Sequence, residues 1–503
     1  MISQKKYGVI LGYTNIIAKN LVQLIYTPML LSFVGQGDYG VFQTINSFTV
    51  TLGIFSVTFT KAYVRFYFVK IRNGNKDAIK KLNGQYLLLY LCFSLVALFF
   101  GVIFALNNNN IFSNSFSPHE LELSQKLILI MVLNITITIF SSVFDSYILV
   151  HEKFRFQQSR QLFTTIANPF LSYFLLLCGL GAVGVGLSQL FITVLLLILN
   201  IKFALKNINM KFSFKQFDKY FLRSIFVFSV WTFNNQICDL INNNIPNVIL
   251  GSLTSSSVVA VFALSIQIRI CFMSLSTTIS SVFAPQVNII VTKTNSNIEL
   301  SKLMTRIGRY QMCLICWIYG GFIVLGKFFI EKWAGPNFED AYLIICITML
   351  PFLVTLTQNI GFEIQYAKNK HKARSIVYLI MSIVNIVLTL LFSKSLGYWA
   401  PTIAYVLSIT VDNLFLNWYY KKHIGIDIRL FWKRVIPIFF CGLFTTTLFY
   451  AIVHFYPVYN WILFMIYGFF FSITFFALIW FFILNKSEKL IVLKKLKISH
   501  IIN

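Results

Sequence analysis

The feature that most constrains this chain is the alternation of long apolar segments with connections that carry nearly all of its positive charge. A helix needs roughly 20 apolar residues to cross about 30 Å of hydrocarbon. Fourteen segments meet that need, over about residues 8–34, 41–64, 83–106, 125–150, 161–180, 182–203, 222–251, 257–291, 305–330, 341–367, 373–395, 399–420, 434–455 and 460–485. Of the 42 Lys and Arg residues, 35 lie at the termini or on every second connection, and four on the other connections. Lys19, Lys61 and Arg269 fall within or at the end of apolar segments, and the acids show no preference for either side. The positive-inside rule counts Lys and Arg rather than net charge. The pattern therefore predicts a polytopic membrane protein with both termini in the cytoplasm. The net charge of +26 is topological, and nucleic acid is not an expected partner.

Composition supports that reading, because 57% hydrophobic and 12% charged residues with a mean hydropathy of +0.74 lie far from soluble domains. The first apolar segment is long and lacks a small-residue cleavage site, which predicts a retained helix rather than a signal peptide. All eight cysteines (92, 178, 238, 271, 313, 316, 346 and 441) fall within the apolar segments. Cys313 and Cys316 have redox or metal spacing but no basic or His neighbour, so they read as small packing residues. The external connections are short, apart from 107–124 and 331–340, and leave no room for an external catalytic domain. No nucleotide loop, dinucleotide turn, zinc-protease motif or nucleophile elbow occurs. Neither a cofactor nor covalent catalysis is expected, so activity is expected inside the helix bundle.

The chain also repeats itself. Pro28 and Gly35 find Pro246 and Gly251; Val41-Phe42 finds Val261-Phe262; Lys19 finds Asp239. Phe144-Asp145 matches Phe362-Glu363, Arg160 matches Arg374, and Leu180-Gly181 matches Leu396-Gly397. Their order and nearly constant offset predict two six-helix lobes of the same orientation, related by a pseudo-two-fold axis along the membrane normal. The expected organisation is an N-terminal lobe at 1–205, a cytoplasmic linker at 206–221, and a C-terminal lobe at 222–422. Residues 423–503 add two helices and a basic cytoplasmic tail.

Ionisable residues inside a bilayer are costly and usually face a bundle interior or a wet cavity. Asn15, Lys19, Gln23 and Tyr26/Thr27 recur on one face of the first span. In the seventh, Thr232, Asn235/Gln236, Asp239, Asn242/Asn243 and Pro246 do the same. The eighth presents Ser265, Arg269, Ser276 and Ser280; the tenth, Pro351, Thr355, Asn359 and Glu363; the fourth, Asn134, Thr138, Ser141 and Asp145. Lys19, Asp239 and Arg269 are expected deep in the membrane. Lys61 and Arg65 lie one turn apart near the cytoplasmic side, where snorkelling to headgroups is an alternative to a substrate contact. Asp145 and Glu363 suit either gating or structural pairing with Lys153 and Lys368. Asp412 suits pairing with Lys421 or a neighbouring helix, and Asp239 suits pairing with Lys19 or Arg269.

The run Tyr26-Thr-Pro28-Met-Leu-Leu through Gly35-Gln-Gly-Asp38-Tyr39-Gly40-Val-Phe closes the first span and makes the turn after it. This run, with Val282-Phe-Ala-Pro285 and the Leu-Gly turns at 180–181 and 396–397, resembles the polysaccharide flippase (Wzx-type) branch of the multidrug/oligosaccharidyl-lipid/polysaccharide exporter superfamily. The resemblance covers the whole chain. It implies an all-α polytopic fold of about 14 transmembrane helices, in a bacterial inner membrane. It also implies translocation of undecaprenyl-pyrophosphate-linked oligosaccharide from the cytoplasmic to the outer leaflet, for O-antigen or other surface polysaccharide. Membrane lipids, a proton or sodium gradient, and polysaccharide polymerase and chain-length proteins are the further partners it implies. A cation-coupled exporter of small molecules and a cell-wall precursor flippase of the same superfamily are the alternatives.

The residues suit such a substrate independently. Lys19 and Arg269 in a low-dielectric cavity suit a pyrophosphate, with Lys61 and Arg65 nearer the cytoplasmic face. Asn15, Gln23, Asn235 and Asn242 suit sugar hydroxyls. Asp239, Asp145 and Glu363 are the candidate coupling groups, and Pro28 and Pro246 the candidate bending points. The topology predicts residues 107–124 outside and 202–223 inside. With Asn109→Cys and Lys215→Cys labelled in intact cells by an impermeant thiol reagent, 109 reacts and 215 does not; the reverse result overturns the topology.

Overall fold

The computed structural model describes residues 2–72, 76–214, 225, 233–484, 488 and 489, and all of the regular structure among them is helical. Lys215, Thr232 and the opening of the seventh expected span (222–224 and 226–232) lie outside the described residues. By contacts the chain falls into two compact units. Unit 1 comprises Met1–Ala263 and Ser382–Ala404; unit 2 comprises Leu264–Met381 and Tyr405–Asn503.

Unit 1 opens with α1 (Ile2–Leu52), α2 (Ile54–Arg72) and α3 (Lys76–Leu106). After the one-turn α4 (Asn108–Phe112) come α5 (Pro118–Val150), α6 (Phe154–Leu177) and α7 (Gly181–Lys202). Residues 233–243 form α8, and α9 is Ile245–Leu253. α10 (Ser256–Lys293), α14 (Lys372–Leu396) and α15 (Trp399–Tyr419) contribute residues to both units. Unit 2 is completed by α11 (Asn297–Trp333), α12 (Glu339–Thr357), α13 (Asn359–Ala367), α16 (Ile428–Phe455) and α17 (Trp461–Leu478).

Among the described residues, 11 helices are long and apolar enough to cross a membrane. The other expected spans do not stand as separate long apolar helices, for identifiable reasons. The first span and the start of the second form one helical run, Thr14–Leu52, interrupted at Gly35 (φ 79, ψ 170), a conformation open to glycine and closed to most L residues. The rest of the second is α2, beyond a break at Gly53. α6 carries Gln161, Thr164, Thr165, Asn168 and Ser172 within the expected 161–180 span and ends at Leu177, so its apolar stretch is shorter and more polar than expected. The seventh span, described at 225 and 233–251, divides at Asn244 into α8 and the short α9.

The helices begin where the chain supplies caps. Ser117 and Glu120 form a reciprocal capping box at α5, Ser296 caps α11, Asp427 caps α16 and Asn460 caps α17. Within the spans, Ser and Thr hydroxyls mostly return to their own helix. Thr136 donates to Val132 O (2.7 Å), Thr348 to Ile344 O (2.7 Å) and Ser472 to Gly468 O (2.7 Å). That satisfies them where lipid offers no partner.

In unit 1, α5 packs against α1, α2, α3 and α7, and α1 against α6 and α9. A core of Phe59, Tyr63, Tyr67, Tyr86, Tyr90, Ile139 and Phe144 fills the space between α2, α3 and α5. The Tyr63 hydroxyl donates to Asn83 Oδ1 (2.7 Å), and Asn83 Nδ2 donates to Lys211 O (2.9 Å), fastening the described part of the 206–221 segment to α3. The Gly-rich turn after the first span has a packing role as well. Gly40 lies so close to the Ser256 carbonyl at the start of α10 that a Cβ has no room, while the Ser256 hydroxyl bonds to Glu120.

In unit 2, α11 packs on α16, α12 and α17 around Leu300, Met304, Ile307, Tyr420, Phe431 and Phe475. Arg309, buried on α11, donates to both carboxylate oxygens of Glu488 (3.1 and 2.8 Å), to Arg434 O (3.1 Å) and to Ile483 O (3.0 Å). Cys316 Sγ lies 3.3 Å from Met312 Sδ, and all eight cysteines are free thiols. Large side chains such as Phe99, Phe170, Leu391, Phe440 and Phe482 are exposed along the helices. A lipid environment is the solvent that such a surface requires.

The Gly40 contact yields a stability test. Gly40→Val drives a branched side chain into the Ser256 backbone, so the folded yield in detergent falls sharply. Gly35→Ala retains the contact but strains a positive φ, costing about 1 kcal/mol. Size-exclusion profiles and thermal melts compare the two; equal profiles remove the close approach as a constraint.

Candidate functional site

The polar stripes read from the sequence divide, in the structure, into groups that tie helices together and groups left facing outward from their helices. In unit 1, Asn15 is buried, and its amide donates to Gln158 O (3.0 Å) and Gln158 Oε1 (2.7 Å), joining α1 to α6. Lys19, one turn on, is exposed, and Gln23 is half-buried. Pro28 lies inside α1, about two turns before the Gly35 break. Lys61 and Arg65 are both exposed on α2.

On α8, Asn235 is half-buried, Asp239 exposed and Asn242 buried. Asn242 Nδ2 donates to Ser382 Oγ (3.0 Å), and Asn385 Nδ2 donates to Asn242 Oδ1 (2.7 Å), so this amide bridges to α14. Asn243 returns to Asp239 O (2.8 Å), and Asn247 donates to Ser47 Oγ (2.9 Å). Helical bonding lapses at Asn244, and Pro246, in the first turn of α9, restarts it without needing a backbone donor. The seventh span is therefore a broken helix, as its proline suggested.

Asp145 forms an ion pair with Arg160 Nη2 (2.6 Å), and Arg160 Nη1 bonds to Asn200. Asn200 Nδ2 donates to Ser141 Oγ (3.0 Å), so α5, α6 and α7 share one polar knot. The partner of Asp145 is thus the arginine that opens the next helix rather than Lys153. Arg160 was visible in the sequence as one member of a repeat pair, but nothing in it fixed the helix rotation that faces it toward Asp145.

In unit 2, Arg269 is only 4% exposed, and its guanidinium lies 3.8 Å over the Tyr405 ring. A planar, weakly hydrated cation on an aromatic face tolerates a desolvated site better than an ammonium does. The sequence marked Arg269 but not Tyr405, which lies 136 positions away on α15. Ser276 serves packing: its hydroxyl donates to Leu356 O (2.8 Å) at the lapse between α12 and α13, and it accepts from Gln311 (3.2 Å) and Asn359 (2.9 Å). Thr355 donates to Asn413 Oδ1 (2.8 Å) while Asn413 Nδ2 caps Pro351 O (2.8 Å), supplying a partner beside the kinking proline. Glu363 is half-buried on α13, and Lys368 bonds to Asn297 and Ile424 O rather than to Glu363. An apolar cavity of about 320 Å³ opens among Phe272, Trp317, Phe322, Phe329, Phe464 and Phe471, beside α17.

These residues could hold an anion at the two cation positions and hydroxyl groups at the amides. Comparison with known proteins speaks to the family and the fold. Residues 84–343, just over half of the chain, match the family described as polysaccharide biosynthesis protein. The uncharacterized membrane protein EpsK of Bacillus subtilis is 27% identical over 297 residues, 57% of each chain, so the match spans little more than half of that relative's length. The lipid II flippase MurJ in an inward closed conformation superposes with a TM-score of 0.72 at 15% identity, covering 94% of this chain and 98% of MurJ. An inward-facing multidrug resistance MATE family transporter of the MOP superfamily gives 0.63 at 13% identity, covering 82% and 94%. At such identities the two structures speak for the fold alone, and the fold is theirs. The family match carries the further statement that this chain belongs to the polysaccharide biosynthesis protein family.

Proposed function

We propose that the protein is a flippase that moves undecaprenyl-pyrophosphate-linked oligosaccharide repeat units from the cytoplasmic to the outer leaflet of a bacterial inner membrane. The observation that carries this reading is a polysaccharide-biosynthesis family match on a bundle folded like a lipid II flippase. In this reading two six-helix lobes move in alternating access, with residues 423–503 outside the repeat. Lys19 and Arg269 receive the pyrophosphate, with Lys61 and Arg65 at its cytoplasmic approach. Asn15, Gln23, Asn235 and Asn242 serve the sugar, the last within its bridge to α14. The apolar cavity beside α17 suits an isoprenoid segment.

No covalent chemistry is assigned to the protein, because its role is to exchange one leaflet for the other. Asp239 is the coupling group, exposed on the face of α8 that also carries Asn235 and Asn242, and driven by a proton or sodium gradient. A ligand shifts such an equilibrium only through differential affinity for its two states. Pro28 and Pro246 supply the bends. Asp145, held by Arg160, favours the structural alternative, whereas Glu363 keeps its gating role. A polymerase and chain-length proteins receive the product.

The second reading, a cation-coupled small-molecule exporter, rests on Asp239 and Glu363 as a net acidic lining, and the buried Arg269 weighs against it. Alanine at Lys19 or at Arg269 abolishes glycan export with protein level and insertion unchanged. Arg269→Lys keeps about a tenth of the rate, the equivalent of about 1.4 kcal/mol for one lost charge-assisted bond. Full export by both alanine variants, in a glycan-export complementation assay, moves the substrate site elsewhere. Drug efflux without glycan export favours the exporter.

A further inference from the structure

One buried carboxylate plays no part in the polar knots described above. Asp412, on α15, is 1% exposed, and its Oδ1 has no hydrogen-bond partner among the described residues. Its helix neighbours contrast with it. Asn413 is satisfied on both amide atoms by α12, and Asn417 Oδ1 accepts from Gln358 Nε2 (2.8 Å) and Trp432 Nε1 (2.7 Å). The face of α15 toward α12 and α16 is therefore closed, and Asp412 is the group left over.

What surrounds Asp412 is also unpaired. Arg374 on α14 is the charged group acting on it, yet the two make no ion pair. The Arg374 guanidinium instead lies 3.5 Å over the Phe362 ring of α13, with Nε unpartnered. Tyr420, just past α15, faces Arg374, Gln365 and Asp412, and its fully buried hydroxyl is unpartnered. Gln365 on α13 is 1% exposed, with neither amide atom hydrogen-bonded. α12 and the Gln358 break beside it contribute only hydroxyl and amide groups to this side of α15. Four polar side chains thus meet in one place with polar capacity unused, where unsatisfied buried groups are rare and costly.

The repeat sharpens the contrast. Arg374 corresponds in sequence to Arg160, which in unit 1 is closed onto Asp145 and Asn200. In unit 2 the corresponding arginine is parked on an aromatic ring, and the carboxylate within its reach stands apart. An ionised carboxylate this deep, with no donor and no cation in contact, is far less stable than its neutral form. A metal ion would meet one carboxylate and a repelling guanidinium, so the ligand that fits is a proton, with water among Tyr420, Gln365 and Arg374.

We propose that Asp412 is a proton-binding site and that this conformation holds it protonated. Loss of that proton draws Arg374 off Phe362 into an ion pair, giving unit 2 the closed arrangement that unit 1 already has. The Arg374–Asp412 pair is then a two-state element whose balance follows proton occupancy, whatever molecule the protein carries.

Infrared difference spectroscopy of the purified full-length protein in lipid nanodiscs tests this. Near neutral pH the wild type is expected to show the carbonyl stretch of a protonated carboxylic acid that Asp412→Asn lacks. Because Asn imitates the neutral carboxyl, Asp412→Asn melts like the wild type, whereas a structural ion pair would make it melt lower. A folded Asp412→Asn with an unchanged carboxylic-acid band overturns the assignment. If that variant does not fold, Tyr420→Phe decides: Tyr420 neighbours Asp412, so removing its hydroxyl changes the polarity around the carboxyl and shifts the band. An unshifted band in folded Tyr420→Phe also overturns the site.

Discussion

Lipid offers a polar group no partner, and most of this structure follows from that constraint. Among the described residues the spans are helical, and most buried polar side chains find a bond within their own turn or across a helix contact. The many Ser and Thr residues take the first route, donating one turn back along their own helix. Asn and Gln, with two donors and two acceptor sites, take the second. Asn15 joins α1 to α6, Asn200 joins α7 to the Arg160 knot, Asn242 joins α8 to α14, and Asn413 joins α15 to α12. The amides are where helix packing is specified, because apolar side chains gain little from leaving apolar lipid.

That division accounts for what could be read from the sequence. Spans are legible because hydropathy is a local sum, and the all-helical bundle follows from it. Gly35 and Pro246 are legible as breaks because glycine and proline act on their own backbone. Where polar residues are scattered through a span, as at Gln161, Thr164, Thr165 and Asn168 of α6, an expected span overstates its apolar length. Side-chain partnership is a different matter, since it depends on how each helix is rotated and how deeply it sits. Asp145 finds Arg160 rather than Lys153, and Arg269 finds Tyr405 on another helix altogether. The stripes correctly marked polar faces, but a polar face serves packing and transport equally well. Asn15, Asn242 and Ser276 turned out to hold helices together, while Lys19, Lys61, Arg65 and Asp239 remain exposed on theirs.

Buried Arg269 and half-buried Arg374 show how unit 2 accommodates a cation against an aromatic face. Arg269 rests on Tyr405 and Arg374 on Phe362, each within 4 Å of a ring centroid. An aromatic face stabilises a guanidinium without itself engaging the donors, and Arg374 Nε is unpartnered. Arg309, by contrast, has its donors committed to Glu488 and two carbonyls, and belongs to the structural class with Arg160. The distinction is chemical: a carboxylate partner ties an arginine down, whereas an aromatic partner holds it in reserve.

Repetition then gives that distinction a direction. Two copies of one ancestral pattern begin with the same polar inventory, and each position can be kept as structure in one half and released in the other. Arg160 and Arg374 fit this description, the first tied to Asp145 and the second set on Phe362. Lys19 and Asp239 follow the same logic with the charge reversed, since the repeat pairs them at one offset. The proposed mechanism of two like-oriented lobes needs such asymmetry, because two identical lobes would have no reason to respond differently to one ligand. The positions where the repeat pairs residues but their bonding or charge differs are therefore the ones through which this bundle can tell its states apart.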